Sequence, residues 1–274
     1  MAFNWATKYS DLVDERFTKA SLTQAAFNSD YDFTGVSTVV VYSVATAPMN
    51  NYQMTGNQRY GTPDELGTTT QEMTLSQDRS FTFTVDRRNY SDQQMVTEAG
   101  RALRRQVDEV IIPEVDIYRI ARLIAGAGGG ATAAIPDTGA GAYSQFLNGI
   151  THILGNKAPL AGTFAFISPA FYRQIRLDTA FILASDLGQA TRFNGQVGQA
   201  EGVPMVLTPN NYLPANVAFV LSNRIAATAA QKLSEYKTHD NPPGINGWLA
   251  EGRIYHDAFV LNNKSNAIYV HRTA

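Results

Sequence analysis

Histidine is the residue through which this chain could most readily carry out acid–base or metal chemistry, and the sequence contains four of them. His239 and His256 are each followed by an aspartate, a pairing that could bind a metal ion or move a proton. No two histidines stand four residues apart, as a zinc-protease helix requires. The spacing favours histidines that pack or lie at the surface, and predicts neither a metal site nor a catalytic base.

Other motifs for catalysis or cofactor binding are missing from the sequence. The glycine run at 126–130 lacks the Gly-Lys-Ser/Thr ending of a phosphate loop, so it is interpreted as a linker, and there is no Gly-x-Ser-x-Gly. The chain has no cysteine, which removes disulfides, thiol nucleophiles and thiolate metal sites. Aspartate and glutamate have no spacing that singles out a catalytic pair. We therefore expect no catalytic residue and no cofactor.

The composition is that of a folded chain with almost balanced charge. Of 274 residues, 44% are hydrophobic, and 22 basic residues face 24 acidic ones. A chain of this length can bury about three quarters of the surface that it exposes when unfolded. No basic excess predicts a dedicated nucleic-acid binder. No apolar run is long enough to span a membrane and residues 1–8 do not form a signal peptide, so we expect no membrane partner.

The elements that would position any site begin with two extended segments. Residues 38–44 are rich in β-branched side chains, and residues 73–85 alternate apolar and polar side chains with a period of two. About 24 irregular residues, 48–71, separate them. The pattern predicts a long hairpin whose apolar face, from Met73 to Val85, has no cover in its own sequence. We expect another molecule to cover it.

A long helix and a mixed region follow the hairpin. Apolar residues spaced by three or four predict a helix over 91–126, about 50 Å long at about 1.5 Å per residue, kinked at Pro113 and with a salt-bridged outer face. The glycine run then predicts a hinge or domain boundary. Beyond it the sequence predicts helices at 143–154 and after Ser168, strands at 163–167, 203–207, 217–221, 231–238, 248–261 and 267–271, and a loop at 195–199.

This order of elements, and several strings of sequence, resemble the tailed-bacteriophage major capsid proteins of the Hong Kong 97 fold. Residues 6–17 are similar to that family's N-terminal arm, 30–36, 59–67 and 71–81 to its extended loop, 102–114 to its spine helix, and 252–261 to its C-terminal region. The resemblance implies an α+β fold with an arm (1–36), an extended β-hairpin loop (37–90), a peripheral domain (91–126 and 227–262) and an axial domain (127–226 and 263–274). It covers nearly the whole chain.

The resemblance also implies a function. The chain would self-assemble into hexamers and pentamers of an icosahedral head, a virion component formed in the host cytoplasm that holds double-stranded DNA non-specifically. A separate scaffolding protein is expected because the arm starts at Met1, together with a portal and a possible decoration protein. The candidate subunit-interface residues lie on the extended loop and the strand after it: Tyr52, Met54, Arg59, Tyr60, Asp64, Glu65, Phe81 and Phe83.

One departure from the family and two alternatives bear on this hypothesis. Some relatives join subunits through an isopeptide bond from a loop lysine, but this chain has no lysine between Lys19 and Lys157, so a non-covalent shell is expected. The first alternative is an encapsulin-like compartment shell that holds protein cargo. The second is a soluble hydrolase or binding protein, which would stay monomeric or form small oligomers.

Overall fold

A computed structural model describes residues 21–31, 33, 37–63, 65–86, 105–137, 141–178 and 196–274, and within these ranges the chain forms three β-sheets and three α-helices. The strands are β1 (Thr38–Val44), β2 (Thr68–Thr74), β3 (Gln77–Asp86), β4 (Gly129–Thr132), β5 (Thr163–Ile167), β6 (Gln196–Ala200), β7 (Val203–Leu207), β8 (Val217–Asn223), β9 (Ala227–Asp240), β10 (Gly247–Val260) and β11 (Ile268–Arg272). The helices are α1 (Ile112–Ala125), α2 (Ala142–Gly155) and α3 (Pro169–Leu177). The fold therefore mixes helix and sheet, as expected.

The six-stranded sheet, in the order β4-β11-β8-β5-β7-β6, carries the largest hydrophobic core. Every residue of β8 is buried, which fits its central place and its run of apolar residues. Ser168 caps α3 by accepting a hydrogen bond from the Phe171 N–H, and Pro169 occupies the first helical position. The predicted helices at 143–154 and after Ser168 and the predicted strands of this region are confirmed.

Two segments of this sheet were assigned wrongly from sequence. The glycine run is not a linker throughout, since Gly129–Thr132 forms β4, a parallel edge strand beside β11. A side chain at Gly129 would overlap the His152 ring on α2, and one at Gly130 would come within 2.6 Å of the Val270 carbonyl oxygen of β11, so these glycines lie in close packing rather than in a free linker. Residues 195–199 were expected as a loop, but Gln196–Ala200 forms β6, which pairs with β7 through a tight turn in which Glu201 and Gly202 have positive φ.

The three-stranded sheet, in the order β3-β10-β9, packs one face against α1 and the helical turn that precedes it. Val107, Ile111, Ile112 and Val115 meet Tyr236 and Ile254 there. In the helix, residues 107–111 form a π-helical turn that runs directly into α1, and the Ile112 N–H donates to the Val107 carbonyl five residues back. Pro113 has no N–H and crowds the carbonyl four residues before it, which accounts for wider turns here. Residues 91–104 of the predicted helix lie outside the described residues.

The third sheet is the two-stranded hairpin of β1 and β2. Sequence periodicity predicted one strand over 73–85, but this is wrong. The hydrogen bonds divide it at Leu75 and Ser76 into β2, which pairs with β1, and β3, which pairs with β10. Side chains keep alternating through the break, so the period of two does not reveal that the pairing partner changes.

The segment before β1 is fixed to α1 and β9. The Asp116 carboxylate is fully buried and accepts hydrogen bonds from the Ser21 and Thr23 hydroxyls and, at 2.9 Å, from the Leu22 N–H. Asn28 exchanges backbone hydrogen bonds with the start of β9. The short helix predicted around residues 12–22 falls mainly on 1–20, outside the described residues.

Candidate functional site

The β1–β2 hairpin has one face against the body of the subunit and one face in solvent. On the inner side Met73 is buried and Val39 and Val41 are half-buried, next to Phe33 and Phe259. The outer side carries three apolar residues of β1 in a row, which are exposed by 40, 72 and 60%: Val40, Tyr42 and Val44. The residues paired with them on β2 are Glu72, Thr70 and Thr68. An apolar row beside polar neighbours is typical of a protein-interaction surface.

The loop between the two strands, residues 45–67, continues this exposed surface. Met49, Met54 and Tyr60 are exposed by 99, 84 and 83%. The tip nevertheless has an ordered conformation, because the Gln53 N–H donates to the Arg59 carbonyl at 2.9 Å and the Tyr52 and Tyr60 rings meet edge to face with centroids 5.1 Å apart. The structure thus presents methionine and tyrosine on a shaped loop, the residue types that are enriched at interfaces.

The candidate interface residues of the sequence are divided between this loop and the body. Tyr52, Met54, Arg59, Tyr60 and Glu65 lie together on the exposed loop, where the Arg59 Nε donates to the Gly56 carbonyl. Asp64 lies outside the described residues.

Phe81 and Phe83 lie apart from the loop, on β3, half-buried against the cluster around Val107 and Tyr236. The expectation that the apolar face from Met73 to Val85 has no cover within the chain is wrong. Met73 and Leu75 are buried beneath Phe259 and Leu261, and the two phenylalanines rest on the subunit's own helix.

The exposed row on β1 was not predicted from sequence, although a signal for it was present. Residues 39–42 read Val-Val-Val-Tyr, so β1 is apolar on both faces. A two-stranded sheet with only one face against a body must expose the other. An apolar strand without alternation therefore marks either a buried central strand or, as here, a hairpin with an apolar outer face.

The root of the hairpin is built around the carboxylate of Asp257 on β10, which is 1% exposed. Its Oδ2 accepts hydrogen bonds from the Ser76 N–H at 2.9 Å and the Ser76 hydroxyl at 2.8 Å. Its Oδ1 accepts from the Tyr118 hydroxyl at 2.8 Å and the Ala258 N–H at 2.7 Å, and lies 3.5 Å from the Arg122 guanidinium. The carboxylate joins the β2–β3 junction to α1.

Three further hydrogen bonds fix the same root. The Tyr255 hydroxyl donates to the Leu75 carbonyl at 2.9 Å. The Gln71 side chain donates to the Val260 carbonyl at 2.8 Å and accepts from the Asn262 N–H at 2.9 Å. Burial raises the pKa of the Tyr118 phenol, and so does its bond to Asp257, so this hydroxyl remains a donor near neutral pH. The hairpin is thus tied at its base and exposed at its tip.

The two histidines that precede aspartates lie in different environments, one buried and one half-exposed. His256 is 3% exposed, and burial together with the Arg119 charge lowers its pKa to about 4. His239 is half-exposed beside Glu251, at 3.3 Å. Within the described part of the chain no three histidine, aspartate or glutamate side chains converge as metal ligands. No helix in the described ranges is both long and apolar enough to cross a membrane.

Comparison with known proteins finds one matching family model and several solved structures of similar fold. A family model described as "Phage capsid protein" matches residues 68–270. No curated protein matches the chain by sequence. A solved structure from Mycobacterium phage Che8 shares 15% identity at a TM-score of 0.67, covering 92% of this chain and 90% of that one. The capsid structure of the cyanophage P-SCSP1u shares 12% identity at 0.73, covering 93% and 89%.

The same fold also occurs outside these phages. The virus-like particle from Pyrococcus furiosus shares 11% identity at a TM-score of 0.59, covering 98% of this chain and 99% of that one. At such identities these structures establish the fold alone. The family match is more specific because it spans residues 68–270 of the 274-residue sequence. The chain belongs to the phage capsid protein family. It is a major capsid protein of a phage head, and so a structural component of the virion.

Proposed function

We propose that this capsid protein forms hexamers and pentamers in an icosahedral shell, and that the outer face and tip of the β1–β2 hairpin dock on the neighbouring subunit. The carrying observation is that the hairpin buries its inner face on its own subunit while Val40, Tyr42 and Val44 stay exposed on the outer face. Burying apolar surface contributes about 25 cal/mol per Å². A contact repeated around a closed shell adds this contribution many times over.

The remaining parts of the assembly follow from the family resemblance and are part of the same proposal. The shell forms in the host cytoplasm with a separate scaffolding protein, a portal and a possible decoration protein, and encloses double-stranded DNA. The near-neutral net charge of −2 supports confinement of DNA through scattered weak contacts, because a sequence-reading surface would be basic. The protein acts by self-assembly and catalyses no reaction.

The domain assignment is proposed with one change to the loop. The hairpin consists of β1, the loop and β2, whereas β3 belongs with β9, β10 and α1 in the peripheral domain. The six-stranded sheet with α2 and α3 forms the axial domain. The arm is assigned to residues 1–36, of which 21–31 and 33 are described. This division follows the three sheets and the three hydrophobic clusters.

Charge at the loop tip tests the docking. In the double variant Met54→Glu and Tyr60→Glu, carboxylates replace two side chains that are more than four-fifths exposed. The free subunit should unfold at the same denaturant concentration, since exposed substitutions change stability by about 0.5 kcal/mol or less. The yield of shells in sedimentation should fall at least about tenfold, which corresponds to about 1.4 kcal/mol of lost contact energy.

Thr62→Glu is the matched control, because it adds a carboxylate at an exposed polar position in the same loop. It should leave shell yield close to that of the wild type. Normal assembly of the double variant would contradict docking through the tip. Double-stranded DNA inside purified mature particles would support the proposed contents of the shell, and particles without nucleic acid would contradict them.

A further inference from the structure

We propose that Asp257 is a positioning residue that fixes the direction in which the hairpin leaves the subunit, by holding the β2–β3 junction against α1. This inference deepens the proposed function, on which its consequence for assembly rests. The direction of the hairpin, however, is a property of the single subunit and can be measured there.

The β2–β3 junction is short, and Asp257 accepts hydrogen bonds from it directly. Only Leu75 and Ser76 separate the two strands, so their backbone sets the angle between the hairpin and the three-stranded sheet. Leu75 is buried, and its carbonyl accepts a hydrogen bond from Tyr255. The Ser76 N–H and the Ser76 hydroxyl both donate hydrogen bonds to Asp257. The Asp257 side chain therefore holds Ser76, one of the two junction residues, in place.

The groups around Asp257 donate hydrogen bonds to both of its oxygens, so the side chain at this position must accept on both sides. The Ser76 N–H on Oδ2 and the Ala258 N–H on Oδ1 can only donate, and the Arg122 guanidinium approaches Oδ1 as well. Asparagine has almost the same shape, but whichever way its amide is turned, its NH2 group faces a backbone N–H. Asp257→Asn therefore loses at least one hydrogen bond to a buried donor while keeping the packing.

The same carboxylate ties the hairpin to the helix. Tyr118 and Arg122 stand one turn apart on α1, and both contact Oδ1 while Ser76 contacts Oδ2. Arg122 also donates to the Ala258 carbonyl at 3.1 Å. A change in the hairpin's direction must break this set of contacts, so the position of α1 and the direction of the hairpin are coupled through Asp257.

The absence of cysteine from the sequence makes a distance measurement straightforward. Spin labels on Thr68→Cys in the hairpin and Ala170→Cys on α3, both exposed positions, report the hairpin's direction by electron–electron double resonance on the full-length subunit. We expect a narrow distance distribution in the wild-type background, and a broadened and shifted one with Asp257→Asn. Shells formed by the unlabelled Asp257→Asn protein should be largely lost.

Asp116→Asn is the matched control. Asp116 is also a buried carboxylate that accepts a backbone N–H and serine and threonine hydroxyls, but it holds the segment before β1 rather than the β2–β3 junction. It should reduce stability and leave the distance distribution narrow. Equal broadening by both variants would show general loosening and overturn the proposal, as would an unchanged distribution with Asp257→Asn.

The outcomes separate this inference from the proposed function. A broadened distribution with normal shell yield supports the positioning role and contradicts hairpin docking. If Asp257→Asn does not fold, the combination of Ser76→Ala and Tyr118→Phe removes the two hydroxyl donors and leaves the carboxylate in place. A narrow distribution in that double variant overturns the proposal, and a broadened one supports it.

Discussion

At the scale of single residues, buried charge is used in this subunit to attach segments to α1. Asp116 receives the segment before β1, and Asp257 receives the junction after β2. A buried carboxylate is costly unless donors surround it, and both meet this condition with backbone N–H groups and hydroxyls. Because hydrogen bonds to these carboxylates have a preferred direction, they fix the orientation of each attached segment. Contact between apolar side chains alone would not fix that orientation.

His256 predicts a loss of subunit stability on mild acidification. Burial and the Arg119 charge lower its pKa from 6.5 to about 4, an effect that Asp257 and Glu114 partly oppose. Between those pH values the unfolded chain binds a proton that the folded chain does not, so the free energy of unfolding falls as the pH falls. The full contribution is about 3 kcal/mol, present above pH 6.5 and lost by about pH 4.

Urea unfolding of the free subunit across this pH range measures the effect. His256→Phe removes the titrating group and should flatten the corresponding part of the pH profile. His239→Phe is the control, because it makes the same substitution at a half-exposed histidine outside the buried core. A His256→Phe profile as steep as that of the wild type would contradict a neutral buried imidazole.

At the scale of elements, close packing rather than flexibility explains the glycines between α1 and α2. Gly129 in β4 lies against the His152 ring, and a side chain at Gly130 would crowd the Val270 carbonyl of β11. Glycine therefore lets a short edge strand pair with β11 beneath α2. The same principle acts in β10, where Gly252 leaves room for the Phe81 ring.

Gly130→Ala should destabilise the subunit by about 1–3 kcal/mol, since the added carbon would lie 2.6 Å from the Val270 carbonyl oxygen, a backbone atom that cannot turn away. Gly155→Ala is the control at the end of α2, where nothing lies within 4 Å of the added carbon. It should be neutral or slightly stabilising. Denaturant midpoints of the two variants check this, and equal midpoints would contradict the packing argument.

Most of the regular elements could be predicted from sequence. The pairing of the strands, and the residues that pack on their apolar faces, could not. β1 and β5 have the predicted bounds, and α3 begins after the predicted cap at Ser168. The division of residues 73–85 between two sheets was missed because alternation reports faces, not hydrogen-bond partners. The role of Asp257 was missed because its donors come from positions far apart in the sequence.

At the scale of the whole molecule, we expect cohesion between subunits to come from non-covalent contacts. The chain has no lysine between Lys19 and Lys157, so the loop and strands of the hairpin lack the amine that an isopeptide crosslink needs. Exposed ion pairs contribute only about 0–1 kcal/mol each. Apolar surface on the hairpin is therefore expected to supply most of the contact energy, and the coupling through Asp257 sets where that surface is presented.

A denaturing gel of mature particles tests this directly. After heating in denaturant we expect a single band at the mass of the monomer. The same particles treated with a lysine-reactive crosslinker serve as the control that marks where dimer and higher bands would run. A ladder of covalent multimers in the untreated particles would contradict a non-covalent shell.

The most direct measurement is a cryo-electron microscopy reconstruction of particles assembled from this protein. The account predicts an icosahedral shell of hexamers and pentamers, in which Val40, Tyr42 and Met54 of each hairpin contact the adjacent subunit and the Asp257 contacts with Ser76 are intact. A shell in which these side chains remain in solvent, or a protein that stays monomeric with its scaffolding partner present, would contradict it.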